Sequence, residues 1–320
     1  MITTRRIFAT ALLGTLWHPS TSPAATASGA TKPMRFGAYT GAGCTGSAET
    51  GAFERLIGRP VDIVIDFLAY DTWEGMIGAC SWATGCWKAG GHKDLVVSVA
   101  MLVKAGAPTL AQGAAGQFDQ HYRDLARKLI ENGYGNCVVR IGWEFNGDWY
   151  PWTARGHTED FKGCWRRIAL AMRSVPGAHF RFDWCATTIE GPTAEAYPGD
   201  DVVDIIGLDV YDQSYPQITD HARRWQFLLT RPNGLNWHRD FAQAHNKPRS
   251  FPEWGAGSRP DGHGGGDDPL YIRNILAWFK EGGPVDYACY WDYRAPDFDA
   301  KLSDGRLPRS AEALRDGLRG

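Results

Sequence analysis

Two glutamates occupy positions from which paired carboxylates could do hydrolytic chemistry. Glu144 closes the run Val138-Val139-Arg140-Ile141-Gly142-Trp143-Glu144 and precedes Phe145-Asn146-Gly147, while Glu253 closes Ser250-Phe251-Pro252-Glu253 and precedes Trp254-Gly255. A strand period of two places Arg140, Gly142 and Glu144 on one face and Val139, Ile141 and Trp143 on the other. The second set suits a surface covered by helices, so the spacing predicts that Arg140 and Glu144 point inward and that Trp143 faces the helix layer. A single carboxylate at a strand end is ordinarily a solvated residue or an ion-pair partner. Two such groups about 5 Å apart can instead divide the work of retaining glycoside hydrolysis, one attacking the anomeric carbon and the other protonating the leaving oxygen. The nucleophile must stay ionised, which an inward Arg140 would favour. The acid must hold its proton, which burial against Trp149 or Trp152 would favour.

Positioning these groups requires strands that converge. Short apolar runs alternate with longer amphipathic ones, the pattern of parallel strands joined by crossover helices. Eight strands are expected, at Met34 to Thr40, Asp62 to Tyr70, Asp94 to Met101, Cys137 to Phe145, His179 to Thr187, Asp204 to Tyr211, Pro248 to Trp254 and Asp286 to Tyr293. Helices are clearest at Gln117 to Asn132, His157 to Ser174, Thr219 to His245 with a break at Pro232-Asn233-Gly234, and Pro269 to Glu281. Eight such units are what a (β/α)₈ TIM barrel needs, and a typical barrel has about 250 residues. A doubly wound open sheet is the rival, but Gly37-Ala38-Tyr39-Thr40-Gly41-Ala42-Gly43 lacks the GxGxxG spacing of a phosphate turn. On a barrel the strand ends carrying Glu144 and Glu253 share one mouth. Trp73, Trp82 and Trp87, read as a loop after the second strand, and Trp149 and Trp152 after the fourth, would project to that mouth as cleft lining or as loop core.

The 320 residues carry 34 Lys and Arg against 36 Asp and Glu, and this near balance, without segregation of sign, disfavours a duplex nucleic-acid partner. Fourteen Trp are an excess that suits a large core or a surface on which the apolar faces of sugars stack. Thr4-Arg5-Arg6-Ile7-Phe8, the apolar stretch Ala9 to Trp17 and the small-residue site Ala25-Thr26-Ala27 read as a twin-arginine signal peptide over residues 1–27, with a catalytic domain over 28–320. The mature protein is thus expected in the periplasm or outside the cell, with no membrane partner, since no later apolar run is long enough to span a bilayer. Export permits disulfides, and among seven cysteines Cys80 and Cys86 are the expected pair. The nine His are scattered, with no HExxH and no CxxC, so neither a metal nor another cofactor is expected. A calcium loop from Asp261, Asp267 and Asp268 lacks the EF-hand spacing; the Gly/Asp-rich stretch is expected to be a loop at the barrel mouth.

The segment Arg140-Ile141-Gly142-Trp143-Glu144-Phe145-Asn146-Gly147-Asp148-Trp149-Tyr150-Pro151-Trp152 resembles the acid/base segment of glycoside hydrolase family 26, the β-mannanase family within a clan of retaining (β/α)₈ glycosidases. Tyr197 to Tyr211 is similar to that family's sixth-strand segment, Pro252-Glu253-Trp254-Gly255 to its nucleophile segment and Tyr290-Trp291-Asp292 to its eighth-strand tryptophan. The resemblance implies that Glu144 is the general acid/base, that Glu253 is the nucleophile, that Tyr211 hydrogen-bonds the nucleophile and that Trp291 floors the subsite of the reacting sugar. Arg140, Trp143, Asn146, Trp149 and Trp152 join Tyr211 and Trp291 as candidate substrate-binding residues. The family's mannanases carry His immediately before the acid/base Glu, where this chain has Trp143, and the end of the third strand, Ser98 to Val103, offers no matching histidine. The departure leads us to expect a preference for a glucan or a bacterial exopolysaccharide over plain mannan.

The leading expectation is therefore an endo-acting β-glycosidase on a β-linked polysaccharide. The alternative is a barrel that binds polysaccharide without cleaving it, but a lapsed hydrolase tends to lose one carboxylate and both are present. An NAD- or metal-dependent enzyme on an open sheet is remote for want of the phosphate turn and the ligand spacing.

Overall fold

Eight strands pair in parallel, each with its neighbour in sequence, and the last closes on the first: β1 (Arg35–Tyr39), β2 (Ile63–Phe67), β3 (Leu95–Val99), β4 (Val138–Ile141), β5 (Arg181–Thr187), β6 (Ile205–Tyr211), β7 (Arg249–Gly255) and β8 (Val285–Trp291). This is the expected (β/α)₈ barrel. The computed structural model describes residues 33–319. The expected signal peptide, residues 1–27, lies outside the described residues.

Helices α1 (Gly43–Ile57), α2 (Trp73–Ala89), α3 (Leu110–Ala114), α4 (Asp119–Glu131), α5 (Thr158–Arg173), α6 (His221–Thr230), α7 (Leu235–Ala244), α8 (Pro269–Phe279) and α9 (Pro308–Gly317) follow the strands, with a 3₁₀ turn, Ala194–Ala196, between β5 and β6. Their starts are set by local chemistry. Thr72 accepts from Gly75 N at the head of α2, Asp220 from Arg223 N at α6, and Asp268 from Leu270 N and Tyr271 N at α8, where Pro269 occupies the first turn without wasting a donor. The break expected at Pro232-Asn233-Gly234 separates α6 from α7.

Alternation along the strands divides two cores. Tyr39, Ile63, Ile65, Val96, Val138, Ile205, Tyr287 and Cys289 fill the barrel interior, while the opposite faces join the larger layer between sheet and helices. The interior also takes polar groups that hydrogen-bond one another. Asp183 on β5 accepts from Ser250 Oγ at 2.6 Å and from Tyr287 OH at 2.5 Å, and burial pushes its carboxyl up to about 6 against these two bonds. Gly207 on β6 leaves the space for this cluster, since a Cβ there would lie 2.6 Å from Asp183 Oδ1.

Three sequence expectations are corrected. Trp73, Trp82 and Trp87 lie on α2 and not in a loop: the many glycines of this stretch masked a helix that Thr72 caps. Cys86 pairs with Cys44 of α1, and Cys80 is free and buried. Six residues on one helix span about 9 Å of rise, too far for Cys80 to bridge Cys86, whereas α1 and α2 pack side by side. The fourth strand ends at Ile141 and not at Phe145, a difference with consequences for the site.

Candidate active site

Beyond Ile141 the chain leaves the sheet through Gly142 at φ +55° and Glu144 at φ +52°, so strand alternation no longer governs where side chains point. Gly142 is required, because a Cβ would collide with the Met101 side chain as well as strain the backbone. Bonds from Gly142 N to Val99 O at 2.9 Å, from Glu144 N to Cys185 O at 3.0 Å and from Gly147 N to Glu144 O at 2.9 Å fix the turn between β3 and β5. It delivers Glu144 to the C-terminal mouth in the left-handed region that a non-glycine residue seldom adopts, a kind of strain found at functional sites. Trp149 Nε1 donates to Glu144 Oε2 at 2.9 Å. Burial pushes the Glu144 carboxyl up to about 7, reinforced by the negative charge of Glu253 and opposed by Arg140 and by hydrogen bonds from Trp149 and Thr187.

Glu253 reaches the same mouth by a different device. Phe251 packs on His238 and Phe279 in the helix layer, and strict alternation would send Glu253 outward with it. The register of β7 slips by one residue between Phe251 and Trp254 against β8, and between Ser250 and Trp254 against β6. This bulge lets Trp254 return to the helix layer against Phe279 and Tyr290 while Glu253 turns inward. Pro252, which has no N–H to give a ladder, occupies the bulge. Glu253 accepts from Arg140 Nη1 at 2.7 Å on one oxygen and from Tyr211 OH at 2.6 Å on the other. Arg140 is fully buried, also pairs with Asp209 and donates to Ser98 Oγ at 3.3 Å.

Glu144 and Glu253 line one cavity of about 550 Å³ with Trp149, Tyr150, Thr187, Tyr211 and Trp291, and with Gln213, Tyr215, Arg259, Asp297 and Phe298 from the loops after β6, β7 and β8. Trp291 lies stacked on Tyr39, with ring centroids 4.4 Å apart, and its indole N–H is buried without a partner in the protein. A second hollow of about 590 Å³ opens among Glu54, Asp62, His92 and Asp94 ahead of β2 and β3, at the N-terminal end where barrels do not place their chemistry.

Of the candidate substrate-binding residues, Trp149, Tyr211 and Trp291 line the cavity and four others do not. Arg140 lies beneath it as the counter-ion of Glu253 and Asp209. Asn146 is buried and ties the β4 and β5 loops, donating to Thr187 O and accepting from Thr187 N at 3.0 Å. Trp152 is buried, with Nε1 bonded to Trp143 O at 2.9 Å. Trp143 faces neither the helix layer nor the cavity, because the turn at Gly142 redirects it against Phe67, Tyr150 and Trp152 behind the cavity wall. Sequence reasoning missed Tyr150, Gln213, Tyr215 and Arg259 as lining residues. Gln213 and Tyr215 stand two and four residues beyond Tyr211, so their place after a strand end was the available signal.

The residues considered for calcium do not converge. Asp261 bonds Tyr215 OH and Arg259, Asp267 accepts from Arg309 N and Ser310 N, and Asp268 caps α8. Asp212, His221 and Asp268 do bring three possible ligand atoms within 4.8 Å. The Arg224 guanidinium, 3.6 Å from Asp212 Oδ1, already supplies positive charge there, and an ion network accounts for the cluster.

A parallel eight-stranded barrel with two glutamates at its C-terminal mouth has the architecture of the (β/α)₈ glycoside hydrolases. Residues 119–229, from α4 to near the end of α6 and including the Glu144 turn, match the family model described as glycosyl hydrolase family 26. That stretch is similar to the family, and the likeness supports a glycoside hydrolase. Solved structures agree in fold. An endo-beta-1,4-mannanase from Cellulomonas fimi superposes with TM-score 0.64 at 18% identity, covering 90% of this chain and 70% of that one. The GH26 beta-mannanase BoMan26A of Bacteroides ovatus gives 0.61 at 17%, covering 90% and 89%, and the Bacillus subtilis mannanase BCman gives 0.60 at 18%, covering 89% and 85%. A sequence search of curated proteins finds no significant match.

Proposed function

We propose that this chain is a retaining, endo-acting β-glycosidase of a polysaccharide of β-linked hexoses, with Glu253 as nucleophile and Glu144 as general acid/base. The observation that carries the reading is the contrast between two carboxyls in one cavity: Glu253 accepts hydrogen bonds from Arg140 and Tyr211, while burial raises Glu144 to about 7 so that it enters the reaction protonated. In the first step a Glu253 oxygen attacks the anomeric carbon, the glycosidic C–O bond breaks, and the Glu144 proton passes to the leaving oxygen. In the second, Glu144 takes a proton from water as the water oxygen displaces Glu253, which returns to its carboxylate. Trp291 would stack beneath the reacting sugar and offer its free N–H to a hydroxyl.

β-Mannan is the first substrate to test, ahead of mixed-linkage glucan, xylan and bacterial exopolysaccharide. The three solved structures named above are mannanases by title, and Trp143, the residue that pointed elsewhere, lies behind Tyr150 and does not line the cavity. The twin-arginine segment proposes export, where such polymers occur. Reducing-sugar release from the four polymers tests the function: release from one of them that vanishes in Glu253→Ala is expected, and binding of a polymer without release would establish the non-catalytic barrel instead.

A further inference from the structure

Among the described residues Trp82 is the most exposed of the large hydrophobic side chains, at 51%, and one face of its ring is close against backbone. It lies on α2 over Gly43 at the start of α1, where any Cβ would collide with the indole's six-membered ring. Gly43 is itself held by a bond from its N–H to Asp66 Oδ2 at 2.8 Å, and the next residue, Cys44, is tied to α2 through Cys86. Single exposed apolar residues are normal on a protein surface and need no explanation. This one borders a groove of about 340 Å³ that also takes in Phe67, Tyr70, Asp71 and Lys104. Lys104 Nζ bonds Asp71 Oδ1 at 2.9 Å and sits 4.8 Å from the Tyr70 ring centroid, so hydrogen-bonding groups edge an aromatic surface. The groove follows the C-terminal ends of β1, β2 and β3, whereas the cavity follows those of β4 to β8. Phe67 joins them: it lines the groove and packs edge-on against Trp291, which lines the cavity, at 5.9 Å.

We propose that this groove is an outlying glycan subsite in which Trp82 stacks on a hexopyranose of a chain whose scissile bond lies in the Glu144–Glu253 cavity. The inference rests on the glycosidase reading above and extends it to long substrates. An indole has only two side-chain torsions to lose when it stacks on the C–H face of a sugar, and the Asp71–Lys104 pair can meet the equatorial hydroxyls around it. Only oligosaccharides long enough to pass Phe67 would gain from it.

The test is calorimetric titration of the Glu253→Ala protein with β-1,4-linked manno- and gluco-oligosaccharides of two to six units, with and without a second change at Trp82. Trp82→Ala should weaken the longest oligosaccharide about three- to tenfold and leave the disaccharide unaffected, with Trp82→Phe between the two. An unchanged length dependence in Trp82→Ala, with the parent binding normally, would overturn the subsite while leaving the glycosidase reading intact. Equal loss at every length would also overturn it, because the indole would then be supporting the fold around the cavity. If the parent protein binds no member of either series at any length, the subsite and the proposed substrate class fall together.

Discussion

Glu144 and Glu253 are chemically the same residue, and in the mechanism we propose their surroundings assign them different tasks. The azide test separates them. Glu253→Ala should lose turnover by several orders of magnitude, and added azide should restore part of it by attacking from the vacated face to give an α-glycosyl azide. Recovery of the β-azide would show that Glu253 is not the nucleophile. Glu144 makes a second prediction through its proton. Its carboxyl ionises near 7 in the fold against 4.5 ordinarily, so the rate constant kcat/KM should fall above about pH 7. The same shift bears on stability. The folded chain holds a proton that the unfolded chain has already released, so Glu144 costs stability as pH rises from 4.5 through 7 and that cost persists above. Glu144→Gln should therefore raise the melting temperature at pH 8 by on the order of 2–4 °C, with the gain vanishing toward pH 4, while activity on a substrate with a poor leaving group collapses. A gain of the same size at pH 4 would show that the shift is not its source.

At the scale of elements, each glutamate depends on a departure from regular structure: a left-handed turn after β4 and a bulge in β7. Arg140 links the two strands through Glu253. Replacing it by Met should cost about 3–5 kcal/mol in chemical denaturation, because Asp209 and Glu253 would be left buried without their cation. Tyr211→Phe is milder and more diagnostic. It removes one of two donors to Glu253, so kcat should fall while the alkaline limb of the pH profile, ascribed to Glu144, stays in place. The Cys44–Cys86 bridge ties α1 to α2 across a sequence separation of 42. Its loss in Cys44→Ser should lower stability by about 2–4 kcal/mol, read as a shift of the denaturation midpoint.

Under the proposed function the whole barrel decides which sugar the site meets, because its mouth collects side chains from distant loops. Trp149 comes from the β4 loop, Gln213 and Tyr215 from the β6 loop, Arg259 from the β7 loop and Asp297 and Phe298 from the β8 loop. No local motif defines that set. Specificity constants on matched manno- and gluco-oligosaccharides should favour the manno series, since Trp143 is walled off by Tyr150; a clear gluco preference would mean that the residue acts through Tyr150 on the cavity.

The sequence by itself determined the barrel, because eight apolar runs at helix-spaced intervals admit few other packings, and it marked Glu144, Glu253, Tyr211 and Trp291 at strand ends that face a common mouth. It did not determine how two of these side chains arrive there. Alternation alone places Glu253 on the face of Phe251, and only register against β6 and β8 shows the bulge that turns it inward. Alternation likewise sends Trp143 to the helix layer, because a period of two assumes that the strand continues, and Gly142 ends it. The partner of Cys86 was equally hidden, since a disulfide follows the spatial approach of α1 to α2 and not proximity along the chain. Periodicity is a property of regular backbone, and these positions lie where the packing of Met101 on Gly142 and the pairing of neighbouring strands override it.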